Sequence, residues 1–204
     1  MSNITIVQIH KPEEKHLIKP YPFNHVVFET IQSDKYDVEV LVNEEQNGLK
    51  KVFGKIYYDE FRFDKVRNLA KEFALTEYVF ILDADEELLT FDLEKYAKLG
   101  LDSYLVTILN LHKGNVYQIS NGVRLFKNSI DYIGYAHELP DCDTHHTTDI
   151  LIKHNGYKDP TKWTEKAKRN NDLIIKSGLA LNNEYQRRKL YEGLKLEFEF
   201  KGDN

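Results

Sequence analysis

Two aspartates one residue apart, Asp83 and Asp85, close the segment Tyr78-Val79-Phe80-Ile81-Leu82-Asp83-Ala84-Asp85-Glu86-Glu87. Spacing alone means little, because the same pattern recurs at Asp37/Glu39, Asp92/Glu94, Asp141/Asp143 and Glu197/Glu199. Position sets the first pair apart. Residues 78–82 are apolar throughout, as in a strand covered on both faces, and along an extended chain residues i and i+2 project to the same side. Two carboxylates at the open end of such a strand can share a hard divalent cation, Mn²⁺ or Mg²⁺, whose oxygen shell a diphosphate completes. The alternative is a solvated strand-to-loop turn.

The elements that must hold this pair alternate in type. Residues 4–9 are β-branched and apolar, stop before Pro12, and predict a first strand. Residues 24–31 are expected as a short helix, 37–42 as a second strand ended by the polar stretch 43–48, and 52–58 as a third. Residues 64–74 place Val66, Leu69, Ala70, Phe73 and Ala74 on one helical stripe, with Asp64 as the N-cap. Strands alternating with helices predict an α/β layer architecture in which ligands sit at the carboxyl ends of the strands. Further on, 103–111, 116–126 and 130–135 read as added strands, 150–153 as a short strand, and 161–176 and 184–196 as closing helices.

Composition narrows the class. The chain has 204 residues, no internal repeat and no linker, which predicts one domain over 1–204. A hydrophobic fraction of 41% with 30% charged residues of both signs excludes disorder and coiled coil. One cysteine, Cys142, cannot make an intrachain disulfide or a cysteine-based zinc site, which fits a reducing, cytoplasmic setting. No apolar run is long enough for a bilayer, and the first residues lack a signal-peptide profile. A net charge of −5 gives no global attraction for nucleic acid or an anionic membrane. No glycine-rich phosphate loop is present, which argues against a nucleotidyltransferase. The Lys-, Asn- and Tyr-rich usage fits a low-GC bacterium or its phage.

Several segments, taken in order, carry a family resemblance. Arg67-Asn68-Leu69-Ala70 followed by the 78–86 segment resembles the Ala-Arg-Asn helix and Asp-Ala-Asp-Glu strand end of the family 2 glycosyltransferases. Arg124-Leu125-Phe126-Lys127-Asn128 is similar to that family's Arg-Leu-Phe-basic-Asn strand. Gly134-Tyr135-Ala136-His137-Glu138 resembles its Gly-x-x-His-Glu segment, and His154-Asn155-Gly156-Tyr157 with Lys166, Arg169 and Asn170 resembles its close. The resemblance covers about residues 60–170.

It implies a GT-A fold: a Rossmann-like nucleotide-sugar-binding sheet flanked by helices, with added β structure and closing C-terminal helices. Within it, about 1–100 would bind the nucleotide sugar, 101–158 would form the acceptor side, and 159–204 would close the molecule. The implied reaction is inverting and metal-dependent, moving a sugar from a nucleotide sugar, a UDP-sugar first, to an acceptor hydroxyl. The acceptor is left open among a polysaccharide, a peptide, a lipid-linked sugar and a modified DNA base.

In those roles Asp85 ligates the metal, Asp83 orients ribose or metal, and His154 is the third ligand, with a structural histidine as the alternative. Glu138 is the general base and His137 positions it or the acceptor; the alternative is a polar corner after a strand. Arg67 contacts the donor or makes a salt bridge, and Lys166 and Arg169 close over the diphosphate or form a solvated helix face. The N-terminal part departs from the family. His10-Lys11-Pro12 follows the first strand, and Asn43 and Glu44 stand where an aspartate and Gly-Ser are expected, as the donor-side residues there. This departure suits the rival function, a non-catalytic sugar- or nucleotide-binding module derived from the same fold.

Overall fold

A computed structural model of the chain describes residues 2–136, 138–155, 161–178 and 184–201. The elements are β1 (Ile4–His10), a 3-10 turn at Pro12–Leu17, β2 (Asn24–Gln32), β3 (Asp37–Gln46), β4 (Leu49–Tyr58) and α1 (Phe63–Lys71). They continue with β5 (Tyr78–Asp83), β6 (Glu86–Leu88), α2 (Glu94–Ala97), β7 (Ser103–His112), β8 (Asn115–Lys127), β9 (Tyr132–Ile133) and β10 (Leu139–Pro140). The last are β11 (His146–His154), α3 (Thr161–Ser177) and α4 (Glu184–Lys201). Nine strands form one mixed sheet in the order β3-β4-β2-β1-β5-β8-β7-β11-β6, and β9 pairs with β10 apart from it. β4, β2, β1 and β5 run parallel, and β8 joins β5 antiparallel. The expected α/β layering, added β structure and closing helices are all present.

Period-two alternation sorts the core into two layers. From β5, Tyr78, Phe80 and Leu82 enter one layer with Ile4, Ile6, Leu93 and Tyr104. Val79 and Ile81 enter the other with Val7, Phe28 and the α1 residues Val66 and Ala70. Each fully buried side chain of this kind contributes roughly 1.5–3 kcal/mol of transfer free energy. The same alternation carries Asp83 to the α1 side, one step beyond Ile81.

Several expectations are corrected. Residues 24–31 form strand β2, not a helix: Val26, Val27 and Phe28 are all buried, as a strand between two parallel neighbours requires and a one-faced helix does not. Arg62, not Asp64, is the N-cap of α1, and Asp64 lies in the first turn paired with Arg62 at 2.9 Å. Residues 43–46 continue β3 rather than forming a loop, because Asn47 (φ 54°) and Gly48 (φ 73°) make a two-residue turn into β4. Asn43 and Glu44 therefore pair with Val52 and Lys51 at the start of β4. That is the end of the sheet opposite Asp83, so neither belongs to a site at the strands' carboxyl ends.

Candidate active site

At the carboxyl end of β5 the side chains of three acids meet two arginines. Arg67, on the face of α1 that packs against the sheet, reaches Asp83 Oδ1 at 2.5 Å through Nη2 and donates through Nε to Glu138 Oε1. Arg124 Nη2 lies 2.6 Å from Glu86 Oε1 and 3.5 Å from Asp83 Oδ2. The Asp83 amide donates to Glu86 Oε2 at 2.9 Å. Arg67 and Glu86 are each 4% exposed, so these two charges are held almost out of water, whereas the Asp83 side chain is half-buried.

Burial and the two arginines together set the ionisation of the acids. For Asp83 burial opposes ionisation, but Arg67 and Arg124 outweigh it and hold the carboxyl well below the usual range. Burial pushes Glu138 up, with Arg67 offsetting part of the rise and Asp83 adding to it. Burial likewise pushes Glu86 up against the pull of Arg124.

The second aspartate of the pair has a different partner. The chain leaves β5 through a turn at Ala84 and Asp85, so the alternation that aimed Asp83 at α1 does not extend to Asp85. Asp85 Oδ2 lies 3.4 Å from His154 Nε2, and the Asp85 carbonyl accepts from the Asn155 amide at 2.9 Å. His154 ends β11, where it pairs with Asn110 of β7 on one side and Glu86 of β6 on the other. Its Nδ1 donates to Asn110 Oδ1 at 2.7 Å, and Asn110 Nδ2 donates to Ser120 Oγ at 2.9 Å. With Nδ1 committed, Nε2 is the nitrogen presented to Asp85. Burial lowers the imidazole pKa, but the hydrogen bond and charge of Asp85 turn the net shift upward.

Two cavities of about 380 Å³ each flank this cluster and share Phe63, Asp83 and His154. The first opens on β7 and β8 and includes Arg67, Glu86, Arg124, Tyr132 and Glu138. The second lies at the carboxyl ends of β1, β2 and β4, bounded by His10, Thr30, Tyr58 and Asp85, with Lys166 and Arg169 of α3 over it. Tyr58, Phe61 and Phe63 form an aromatic wall there, with ring centroids 5.0 and 4.6 Å apart.

The structure thus brings together Arg67, Asp83, Asp85, Glu138, His154, Lys166 and Arg169, and leaves out Asn43 and Glu44. His137 lies outside the described residues. Among the described residues no group of three or more His, Cys, Asp or Glu side chains is arranged to hold a metal ion. Asp85 with His154 offers one oxygen and one nitrogen donor, whereas both oxygens of Asp83 face guanidinium groups.

Sequence reasoning gave no role to Glu86, Asn110, Arg124 or Tyr132. The register explains Arg124: Tyr104 pairs with Leu125 and Leu105 with Val123, which makes Arg124 the extra residue of a β-bulge. A bulge re-aims one side chain without changing the apolar pattern around it. The available signal was an arginine inside the otherwise apolar Val123-Arg124-Leu125-Phe126.

No protein-family model matches the chain, and no curated protein sequence matches it. Among solved structures it is similar to S. aureus TarS 1-349 in complex with UDP-GlcNAc, at 13% identity and a TM-score of 0.48, over 97% of this chain and 73% of that one. S. aureus TarS 1-349 gives 13% identity and a TM-score of 0.45 over 98% of this chain and 73% of that one. The longer S. aureus TarS structure gives 12% identity and a TM-score of 0.47, over 97% and 44%. No described helix is long and apolar enough to cross a membrane.

Proposed function

We propose that the chain is a GT-A glycosyltransferase of the inverting kind, moving a sugar from a nucleotide sugar, a UDP-sugar first, to an acceptor hydroxyl. The observation that carries this reading is the division of labour between two cavities joined at Asp83 and His154. Glu138 lines only one, and Lys166, Arg169, Tyr58 and Phe61 line only the other. A donor in the second cavity would stack its base against Tyr58, Phe61 and Phe63 and set its diphosphate beneath Lys166 and Arg169. Asp85 and His154 would hold a divalent ion, which when bound neutralises charge on the departing diphosphate.

The acceptor hydroxyl then lies in the first cavity. Glu138 takes its proton as the oxygen bonds to the anomeric carbon, and the bond from that carbon to the diphosphate breaks with its electron pair left on phosphate oxygen. Burial, which raises the Glu138 pKa, makes it a stronger base than an exposed glutamate. Arg67 bridges Asp83 and Glu138 and so ties the base to the metal-side loop.

One observation favours the rival, a binding module without turnover: Arg67 already occupies a Glu138 oxygen. A screen of nucleotide sugars with and without Mn²⁺, reading donor binding and transfer separately, tests both readings. One donor that binds and turns over supports the enzyme; a donor that binds tightly and is never hydrolysed or transferred supports the module. Glu138→Gln is expected to keep donor binding and lower kcat by about 10² to 10⁴. Asp85→Asn is expected to remove most of the Mn²⁺ dependence of UDP binding, and unchanged dependence would overturn the metal assignment.

A further inference from the structure

We infer that the cavity on β7 and β8 takes an uncharged, hydroxyl-rich ligand, so that the acceptor is a neutral carbohydrate and not a nucleic acid, a phosphate-rich polymer or an acidic peptide. The inference rests on the transferase reading above and specifies its acceptor class.

The charges of the cavity are matched within the protein. Arg67 is paired with Asp83 and Glu138, and Arg124 with Glu86 and Asp83. Lys189 of α4, at the mouth, is paired with Glu192 at 2.8 Å. A phosphate entering here would meet three carboxylates and no lining lysine or arginine without an acidic partner. Drawing Arg67 or Arg124 away would leave a buried carboxylate, Glu138 or Glu86, without its counter-charge.

Apart from His154, which faces Asp85, the remaining polar lining is neutral and two-way. Asn110, Gln118, Ser120 and Asn121 come from facing stretches of β7 and β8. Amides and hydroxyls both donate and accept, as recognition of sugar hydroxyls requires. Gly122 keeps the floor open, since a Cβ there would stand 3.1 Å from Ile108 Cδ1. Tyr185 of α4 adds one aromatic ring.

The test measures binding rather than turnover. The full chain, saturated with UDP and Mn²⁺, is titrated by ligand-observed NMR with neutral oligosaccharides of glucose, galactose, rhamnose and N-acetylglucosamine. Poly(glycerol phosphate), a single-stranded oligonucleotide and an acidic peptide are titrated in parallel. The expected result is binding of at least one neutral oligosaccharide, weakened tenfold or more in Gln118→Ala and in Gln118→Leu, with UDP affinity unchanged in both. UDP binding accompanied by preference for one of the charged probes would overturn the acceptor class and leave the transferase reading standing. Absence of both UDP and nucleotide-sugar binding in a folded sample would overturn the transferase reading itself. Sugar binding that is indifferent to both variants would overturn the location.

Discussion

Arg124 answers for a buried acid, Glu86, and a half-buried one, Asp83, at once, and its removal should be felt first as lost stability. Arg124→Met leaves Glu86 and one side of Asp83 without a counter-charge in a nearly dry site. We expect a loss of about 3–5 kcal/mol in urea unfolding, and partial recovery when Glu86→Gln is added, because the two residues share one interaction. A loss below about 1 kcal/mol, typical of an exposed pair, would show the cluster to be better hydrated than its burial indicates. This pairing is also where the residues were least legible. Asp83 and Asp85 stood out by their position after an apolar strand, but the shared direction inferred for them assumed an extended chain, and the turn at Ala84 gives them different partners. Arg124 was visible only as part of a motif, since nothing in a one-dimensional pattern marks a residue that a bulge will swing out of register.

Among the elements, the β1–β2 contact contains a buried acid-sensitive pair. His25 of β2 hydrogen-bonds through Nε2 to Gln8 Oε1 of β1 at 2.8 Å and is 3% exposed. Burial, helped by the charge of Lys51, pushes its imidazole down to about 4. The unfolded chain, with an ordinary imidazole, therefore binds the proton first as pH falls. Stability from this group is full above about pH 6.5, declines between there and about 4, and is lost below, a total of roughly 3 kcal/mol. Unfolding free energy measured from pH 8 to 4 should show this slope, and His25→Phe should flatten the upper part of it, above the range where carboxylates titrate. An unchanged slope would refute the assignment. This stretch reads as helix in the sequence and is a strand in the structure. Its short apolar run is compatible with either period, and only β1 and β4 on its two sides settle it as a strand. By contrast β5 and α1 were legible, one by a run of five apolar residues and the other by its stripe.

Across the whole molecule, the closing helices complete a site that the sheet begins. α4 brings Tyr185 and Lys189 to the cavity beside Glu138, and it lies close to α3 because Gly193 has no side chain: a Cβ there would stand 2.2 Å from Asn171 Oδ1. Gly193→Val should push α4 away from α3, raise the acceptor KM several-fold and leave UDP affinity, which depends on the other cavity, unchanged in direct binding. A rise in the UDP dissociation constant of equal size would mean that the helices support both cavities together. The order of layers was legible from alternating strands and helices, whereas the crossing of β8, β7, β11 and β6 was not, because pairing between strands distant in sequence leaves no local mark. The turn at Asn47 and Gly48 lies at the opposite pole of the sheet, where the parallel strands begin, and both cavities face away from it. It is therefore the natural point of attachment for a fluorophore, an epitope or a surface tether, holding the molecule by its back with both cavities open to solution.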